Sequence, residues 1–137
     1  MLFFEIELNL NLDYKSMTLS IVRQNIKKTR PNYLFICSRN QWRSPTAERI
    51  FATNYSINTR SAGTSRHAKH TINQKDIVWA DTIFVMEHRH KLQLKMQYKN
   101  QLQHKKIIVL DIPDDYQYMD AELIELLQQS MQPYLNF

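Results

Sequence analysis

The most informative segment of the chain is Tyr33-Leu34-Phe35-Ile36-Cys37-Ser38-Arg39-Asn40-Gln41-Trp42-Arg43-Ser44. It joins a short apolar run to a polar loop, and Pro45 follows at the start of a segment with helical spacing. Proline is best tolerated in the first turn of a helix, so the pattern predicts a buried strand, a loop and a helix in direct succession. Such a junction gathers backbone N–H groups and the positive end of a helix dipole at one point, which favours an anion.

Cys37 and Arg43 lie six positions apart, at the two ends of this loop. A cysteine at the first position shares the positive field, which favours the nucleophilic thiolate form. Arg43 offers planar, permanently charged donors that match two oxygens of a phosphoryl group. We therefore expect Cys37 to be a nucleophile and Arg43 a phosphate clamp. The loop residues expected to bind phosphate are Ser38, Arg39, Asn40, Gln41, Trp42, Arg43 and Ser44. The alternative is an inert strand-end thiol beside a solvated arginine.

Length and composition indicate a single domain with its own core, at 137 residues and 43% hydrophobic content. The single cysteine excludes an internal disulfide and a paired-cysteine zinc or redox site, so we expect a cytoplasmic protein. The start carries acids where a signal peptide needs an apolar stretch, and no run reaches membrane-spanning length. A net charge of +5 favours anionic partners, but the basic residues are dispersed, so neither nucleic acid nor membrane is an expected partner. The oligomeric state is left open.

The chain divides at about residue 30. Residues 1–30 are expected to be an N-terminal extension, with a possible strand at 5–13 and a short helix or connector at 19–28. Residues 31–137 are expected to form the main domain. Its predicted strands and helices alternate along the chain, with strands at 33–37, 60–64, 82–86 and 106–110 and helices after Ser44, at 72–79, at 88–98 and after Asp120.

This alternation predicts an α/β fold: a central, mainly parallel four-stranded sheet flanked by helices in three layers. Ligands of such sheets bind beyond the carboxyl ends of the strands, where Cys37 lies. Gly63, the only glycine of the chain, is expected in a tight turn after the second strand.

Over residues 33 to about 132 the chain resembles the low-molecular-weight protein tyrosine phosphatases. The resemblance is carried by the Cys37–Ser44 loop, by Ser61-Ala62-Gly63-Thr64, by Trp79-Ala80-Asp81 and by Val85-Met86-Glu87. It implies a cofactor-independent phosphatase that acts through a cysteinyl-phosphate on phosphorylated proteins or small aryl phosphates. It also implies that Asn40 holds the loop in an unusual conformation and that Ser44 donates a hydrogen bond to the sulfur.

The resemblance further implies a general acid in the loop 111–116. Alignment on the aromatic residue gives Asp114, with Asp115 as the second choice. Adjacent carboxylates and a nearby phosphoryl dianion disfavour ionisation, so one carboxyl is expected to keep its proton. The alternative is a solvated acidic turn. Tyr116 and Tyr118 either line a cleft with Asp115 or pack as half-buried rings.

Two loop residues depart from the family pattern. Arg39 replaces a glycine, so we expect an ordinary backbone angle there and a side chain directed outward at the cleft mouth. Trp42 replaces a second cysteine found in many members. Two other functions stay open: an arsenate reductase, which would need an external thiol, and a non-catalytic phosphate-binding module. The five histidines are expected at the surface, and no metal site is predicted.

Overall fold

The computed structural model describes residues 30–54 and 56–135, together with Thr18. Strands and helices alternate along the described chain. Their bounds are β1 Asn32–Cys37, α1 Arg43–Phe51, β2 Asn58–Gly63, α2 Gln74–Trp79, β3 Thr82–Val85, α3 His88–Gln97, β4 Lys106–Val109 and α4 Ala121–Met131, followed by a 3₁₀ turn, Gln132–Tyr134. The predicted strand at 5–13 and the connector at 19–28 lie outside the described residues.

The four strands form one parallel sheet in the order β2-β1-β3-β4. The chain passes from β1 to β2 on one side and then returns to place β3 on the other, so β1 lies where the winding direction reverses. Ligand crevices of parallel sheets form at this switch point, outside the carboxyl ends of the strands. Cys37 ends β1 and pairs with Gly63 at the end of β2. The predicted fold class is confirmed.

Both faces of the sheet are covered by helices. Successive side chains of β1 point to opposite faces, so this strand contributes to the core on each side. Tyr33, Phe35 and Cys37 belong to one buried cluster, which α1 and α4 help to form. Leu34 and Ile36 belong to the other, to which α2 and α3 contribute. This two-sided burial accounts for the uninterrupted apolar run before the cysteine.

The helix ends follow the expected chemistry. Helix α1 begins at Arg43, which leaves Pro45 in its first turn. Asp120 caps α4 by accepting hydrogen bonds from the backbone N–H groups of Glu122 and Leu123, at 2.9 and 3.3 Å. No helix of the described residues is long and apolar enough to span a bilayer.

Candidate active site

The loop between β1 and α1 begins with Cys37, whose side chain is 3% exposed. Its Sγ lies 3.0 Å from Ser44 Oγ. Ser44 Oγ accepts from Asn40 Nδ2 at 2.9 Å, so its single proton is directed either to the sulfur or to the backbone oxygen of Ala62, at 3.3 Å. A thiolate is the stronger acceptor of the two. Ser44 is therefore placed to stabilise negative charge on Cys37.

Asn40 holds the loop from behind. It is buried, and its φ of +52° lies in the left-handed region that asparagine tolerates better than most residues. Its Nδ2 also donates to Ser61 Oγ at 2.9 Å, which ties the loop to β2. Asn40 thus fixes the backbone, and its side chain points away from the cleft.

Gly63 provides space for the loop. A Cβ added at this position would lie 2.5 Å from Ser38 O, 2.6 Å from the Ala68 Cβ and 2.9 Å from Asn40 N, all closer than real Cβ contacts. Its φ is not positive, and it is the last residue of β2, where its backbone N–H donates to His70 O at 2.8 Å. Gly63 therefore does not lie in a tight turn, and that expectation is wrong. The position requires glycine because the loop crosses directly over the end of β2.

Arg43 is 1% exposed, although it carries a permanent charge. Its Nη1 donates to Glu87 Oε1, at 2.5 Å, and to the backbone oxygen of Ile112, at 2.7 Å. Within the described part of the chain, Nε and Nη2 are buried and have no hydrogen-bond partner. Asp114 Oδ1 lies 3.5 Å from Nε, an ion pair without hydrogen-bond geometry. Two strong donors are thus held ready for an acceptor.

Glu87 fixes this guanidinium. It lies two residues after the end of β3, so its carboxylate reaches the same sheet edge as Cys37. Hydrogen bonds from Arg89, and then from Arg43, lower the pKa of Glu87 to about 2, against the opposing effect of burial. Glu87 is therefore ionised under ordinary conditions. From the sequence, Glu87 was expected only as part of the resemblance; its position directly after a predicted buried strand was the available signal.

These groups surround a cleft of about 400 Å³. Its lining residues are Cys37, Ser38, Arg39, Gln41, Trp42, Arg43, Arg89 and Asp114. Arg89 was missed by sequence reasoning. Among the predicted phosphate-binding residues, Asn40 and Ser44 lie behind the loop and act on its backbone and on the sulfur.

The two expected cleft-lining residues, Asp115 and Tyr116, are not part of this wall. Tyr116 is half-buried against the cluster between the sheet and α4, so the packing alternative applies. Asp115 is exposed. Tyr118 is 43% exposed and borders a separate hollow beside Trp42.

A sequence model of one protein family, the low molecular weight phosphotyrosine protein phosphatases, matches residues 32–112. The chain belongs to this family. The match covers β1 to the start of the Asp114 loop, and thus includes the cysteine, the arginine and Glu87. No curated protein is similar enough to the chain to count as a match.

Solved structures of phosphatases share the fold. The tyrosine phosphatase Wzb from Escherichia coli K30 is 21% identical, with a TM-score of 0.65 over 78% of this chain and 97% of its own. SP-PTP from Streptococcus pyogenes is 20% identical, with a TM-score of 0.66 over 77% and 91%. The YwlE arginine phosphatase from Geobacillus stearothermophilus is 18% identical, with a TM-score of 0.58 over 76% and 92%.

The two departures of this low molecular weight phosphatase occur at the cleft mouth. Among the described residues, the non-glycine positions with positive φ are Asn40, Asp111 and Met119, so Arg39 has the ordinary backbone geometry that was expected. Its side chain is exposed at the cleft and adds positive charge there. Trp42 is 37% exposed, and of the described residues it alone contributes an aromatic ring to the cleft lining.

The expectation of surface histidines is wrong for His90, which is fully buried in α3. Its Nε2 lies 2.9 Å from Ser38 Oγ, and its Nδ1 accepts from the backbone N–H of Glu87 at 3.1 Å. Burial, and then the nearby Arg43 and Arg89, lower the pKa of His90 to about 4. A neutral imidazole therefore contacts the loop at Ser38. The sequence did not indicate this role, because the polar residues around His90 suggest an exposed helix face. In the structure, the first turn of α3 faces the loop.

The remaining histidines are exposed, as predicted; they are His67, His70, His88 and His104. His70 Nε2 lies 2.8 Å from Asp76 Oδ2. Within 30–54 and 56–135, no three or more histidine, cysteine, aspartate or glutamate side chains are grouped to hold a metal ion.

Proposed function

We propose that this low molecular weight phosphatase hydrolyses phosphotyrosine in proteins through a cysteinyl-phosphate on Cys37, with Arg43 as clamp and Asp114 as general acid. The observation that carries the proposal is the state of Arg43. Among the described residues, two donors of this buried guanidinium have no hydrogen-bond partner, and Arg43 lines the same cleft as a sulfur that lies 3.0 Å from the Ser44 hydroxyl oxygen. A phosphoryl group bound to the loop N–H groups would accept both hydrogen bonds.

In the first step the Cys37 thiolate attacks phosphorus, the bond to the leaving oxygen breaks, and Asp114 gives that oxygen its proton. In the second step water attacks phosphorus, Asp114 takes a proton from the water, and the S–P bond breaks to return the thiolate and release phosphate. Arg43 and the loop N–H groups stabilise the equatorial oxygens in both steps.

Asp114 is favoured over Asp115 as the acid because it lines the cleft and its carboxylate lies 3.5 Å from Arg43 Nε. From the cleft wall its carboxyl group can reach the leaving oxygen of a phosphoryl group held by Arg43.

Phosphotyrosine is favoured over phosphoarginine by the charges of the cleft. Among the described residues, the lining contains the three arginines Arg39, Arg43 and Arg89 and one acid, Asp114. A cationic guanidinium leaving group would meet like charge there, which opposes binding. The exposed face of Trp42 can instead stack on an aryl ring.

A thiolate nucleophile must stay reduced, which supports a cytoplasmic location.

The test is steady-state hydrolysis of para-nitrophenyl phosphate, a phosphotyrosine peptide and a phosphoarginine peptide. Cys37→Ser is expected to lower kcat by about a thousandfold or more, with phosphate binding retained. Asp114→Asn should lower kcat about a hundredfold or more, and the matched Asp115→Asn should change it little. Mass spectrometry of quenched wild type should find one phosphoryl group on Cys37.

Other outcomes identify the rivals. Phosphopeptide binding without hydrolysis by wild type would indicate the binding module. Thiol-dependent arsenate reduction that exceeds phosphatase turnover would indicate the reductase. Faster turnover of the phosphoarginine peptide than of the phosphotyrosine peptide would overturn the substrate assignment and leave the mechanism intact.

A further inference from the structure

The side chains of Ser38 and His90 meet beneath the loop. Ser38 is the second residue of the loop and lines the cleft with Cys37 and Arg43. His90 lies in the first turn of α3 and is fully buried. The 2.9 Å contact between Ser38 Oγ and His90 Nε2 therefore links the cleft wall to a buried ring.

The tautomer of His90 follows from its other nitrogen. The backbone N–H of Glu87 can only donate, so Nδ1, at 3.1 Å, must carry a lone pair and no proton. A neutral imidazole then carries its proton on Nε2. The ring is neutral because it is buried beside the cations Arg43 and Arg89, which outweigh the opposing charges of Glu87 and Asp114. Nε2–H thus donates to Ser38.

This bond determines what Ser38 can do. Its oxygen already accepts from His90, so its own proton must turn to another acceptor. Among the described residues, the Ser38 hydroxyl has no hydrogen bond besides the one with His90. Because Ser38 lines the cleft, its O–H is free to donate to a molecule bound there. A hydroxyl without such a neighbour could equally rotate to accept.

We propose that Ser38 donates a hydrogen bond to an oxygen of the bound phosphoryl group and that His90 is the positioning residue that keeps the hydroxyl in this donor state. The inference rests on the proposed function, since it adds a side-chain donor to the loop N–H groups and Arg43. A hydroxyl held as a donor also discriminates between ligands. It suits the oxygens of a phosphate dianion, which can only accept hydrogen bonds, and it loses its contact with a ligand group that presents a proton.

The tautomer can be tested without catalysis. Two-bond ¹H–¹⁵N NMR spectra of wild type should show His90 with its proton on Nε2 near neutral pH. A proton on Nδ1, or a cationic ring, would overturn the proposal even if the protein proved to be a phosphatase. This measurement needs no variant, so it does not depend on the folding of a mutant.

The functional step can be tested with a double-mutant cycle. Ser38→Ala removes the donor and should lower kcat/KM and weaken inhibition by inorganic phosphate, each about tenfold. His90→Asn keeps an acceptor near the Glu87 N–H but is too short to reach Ser38, so a smaller loss in the same direction is expected. In the Ser38→Ala background, His90→Asn should have no further effect. The exposed His88→Asn serves as control.

Two results would refute the assignment. Unchanged phosphate inhibition and kcat/KM in Ser38→Ala would show that the hydroxyl does not touch the substrate. An undiminished effect of His90→Asn in the Ser38→Ala background would show that the ring acts by another route, as a purely structural residue would. Failure of the proposed function itself has a different signature, which is turnover that survives Cys37→Ser.

Discussion

Arg43 and Glu87 form an ion pair beside the loop between β1 and α1, with Nη1 and Oε1 2.5 Å apart and the arginine side chain 1% exposed. The pair joins the first turn of α1 to the residue that precedes α3. It uses one end of the guanidinium and leaves Nε and Nη2 directed elsewhere. The guanidinium is thus oriented by the protein itself, and in its proposed role as a phosphate clamp this lowers the reorganisation needed on binding.

Glu87→Gln should lower both the free energy of unfolding and the catalytic rate. The amide oxygen can still accept from Arg43, but the buried cation loses its countercharge, which costs about 2 kcal/mol of unfolding free energy. A less firmly oriented guanidinium should lower kcat more than it raises KM. Urea denaturation and steady-state kinetics measure the two effects. Glu125→Gln, on the exposed side of α4, is the control; equal losses in both variants would contradict the prediction.

The stability of the protein should fall in mild acid because of His90. Its pKa is about 4 in the folded protein and 6.5 ordinarily, so the unfolded chain binds more protons between these values. Stability therefore rises with pH from about 4 to 6.5, by roughly 3 kcal/mol for this group. Glu87 acts in the same direction at lower pH, since its stabilisation is complete above 4.5 and is lost as pH falls towards 2. Urea unfolding midpoints measured between pH 2 and pH 6.5 test this dependence of stability on pH.

His90→Asn supplies the comparison for that slope. The variant lacks the titrating ring, so its stability should vary less between pH 4 and 6.5 than that of wild type. An unchanged slope would mean that other groups cause the acid sensitivity.

Gly63→Ala should disable the site. The new methyl group meets backbone atoms of Ser38 and Asn40, which cannot move without displacing the loop. We expect a loss of about 2 kcal/mol or more and a large fall in kcat/KM. Ala68→Gly alone is the control; combined with Gly63→Ala, it would remove only one of the three close contacts that the new methyl group makes. Recovery of activity in the double variant Gly63→Ala/Ala68→Gly would show that the backbone clashes do not matter.

Two substitutions separate the contributions of Asn40. Asn40→Gly keeps access to the positive φ but loses the hydrogen bonds to Ser44 and Ser61. Asn40→Ala loses both features. The alanine variant should be less stable than the glycine variant by about 1 kcal/mol, the cost of a left-handed angle in a residue with a Cβ. Thermal unfolding measures this difference; a more stable alanine variant would argue against a left-handed loop.

Local features of the chain were sufficient to predict the strand, loop and helix around Cys37. The apolar run, the polar loop and Pro45 follow one another within a few residues. The structure of this segment is therefore determined by residues that are neighbours in the sequence. The alternation of elements then predicted the parallel sheet. The unusual backbone conformation at Asn40 was implied by the resemblance, and it agrees with the tolerance of asparagine for a left-handed angle.

The partners of the loop were harder to foresee because they depend on strand order. Glu87, Arg89 and His90 reach the site only because β3 lies directly beside β1, and no periodicity in the sequence fixes that neighbour. Gly63 was misjudged for the same reason: its neighbour Ser38 is brought there by the β1–β2 pairing.

Cys37 is the only sulfhydryl in all 137 residues. A thiol-directed alkylating reagent therefore has a single target on the whole molecule. The mass added per chain would report the fraction of intact centres in any preparation, and a spectroscopic probe attached there would occupy the cleft itself.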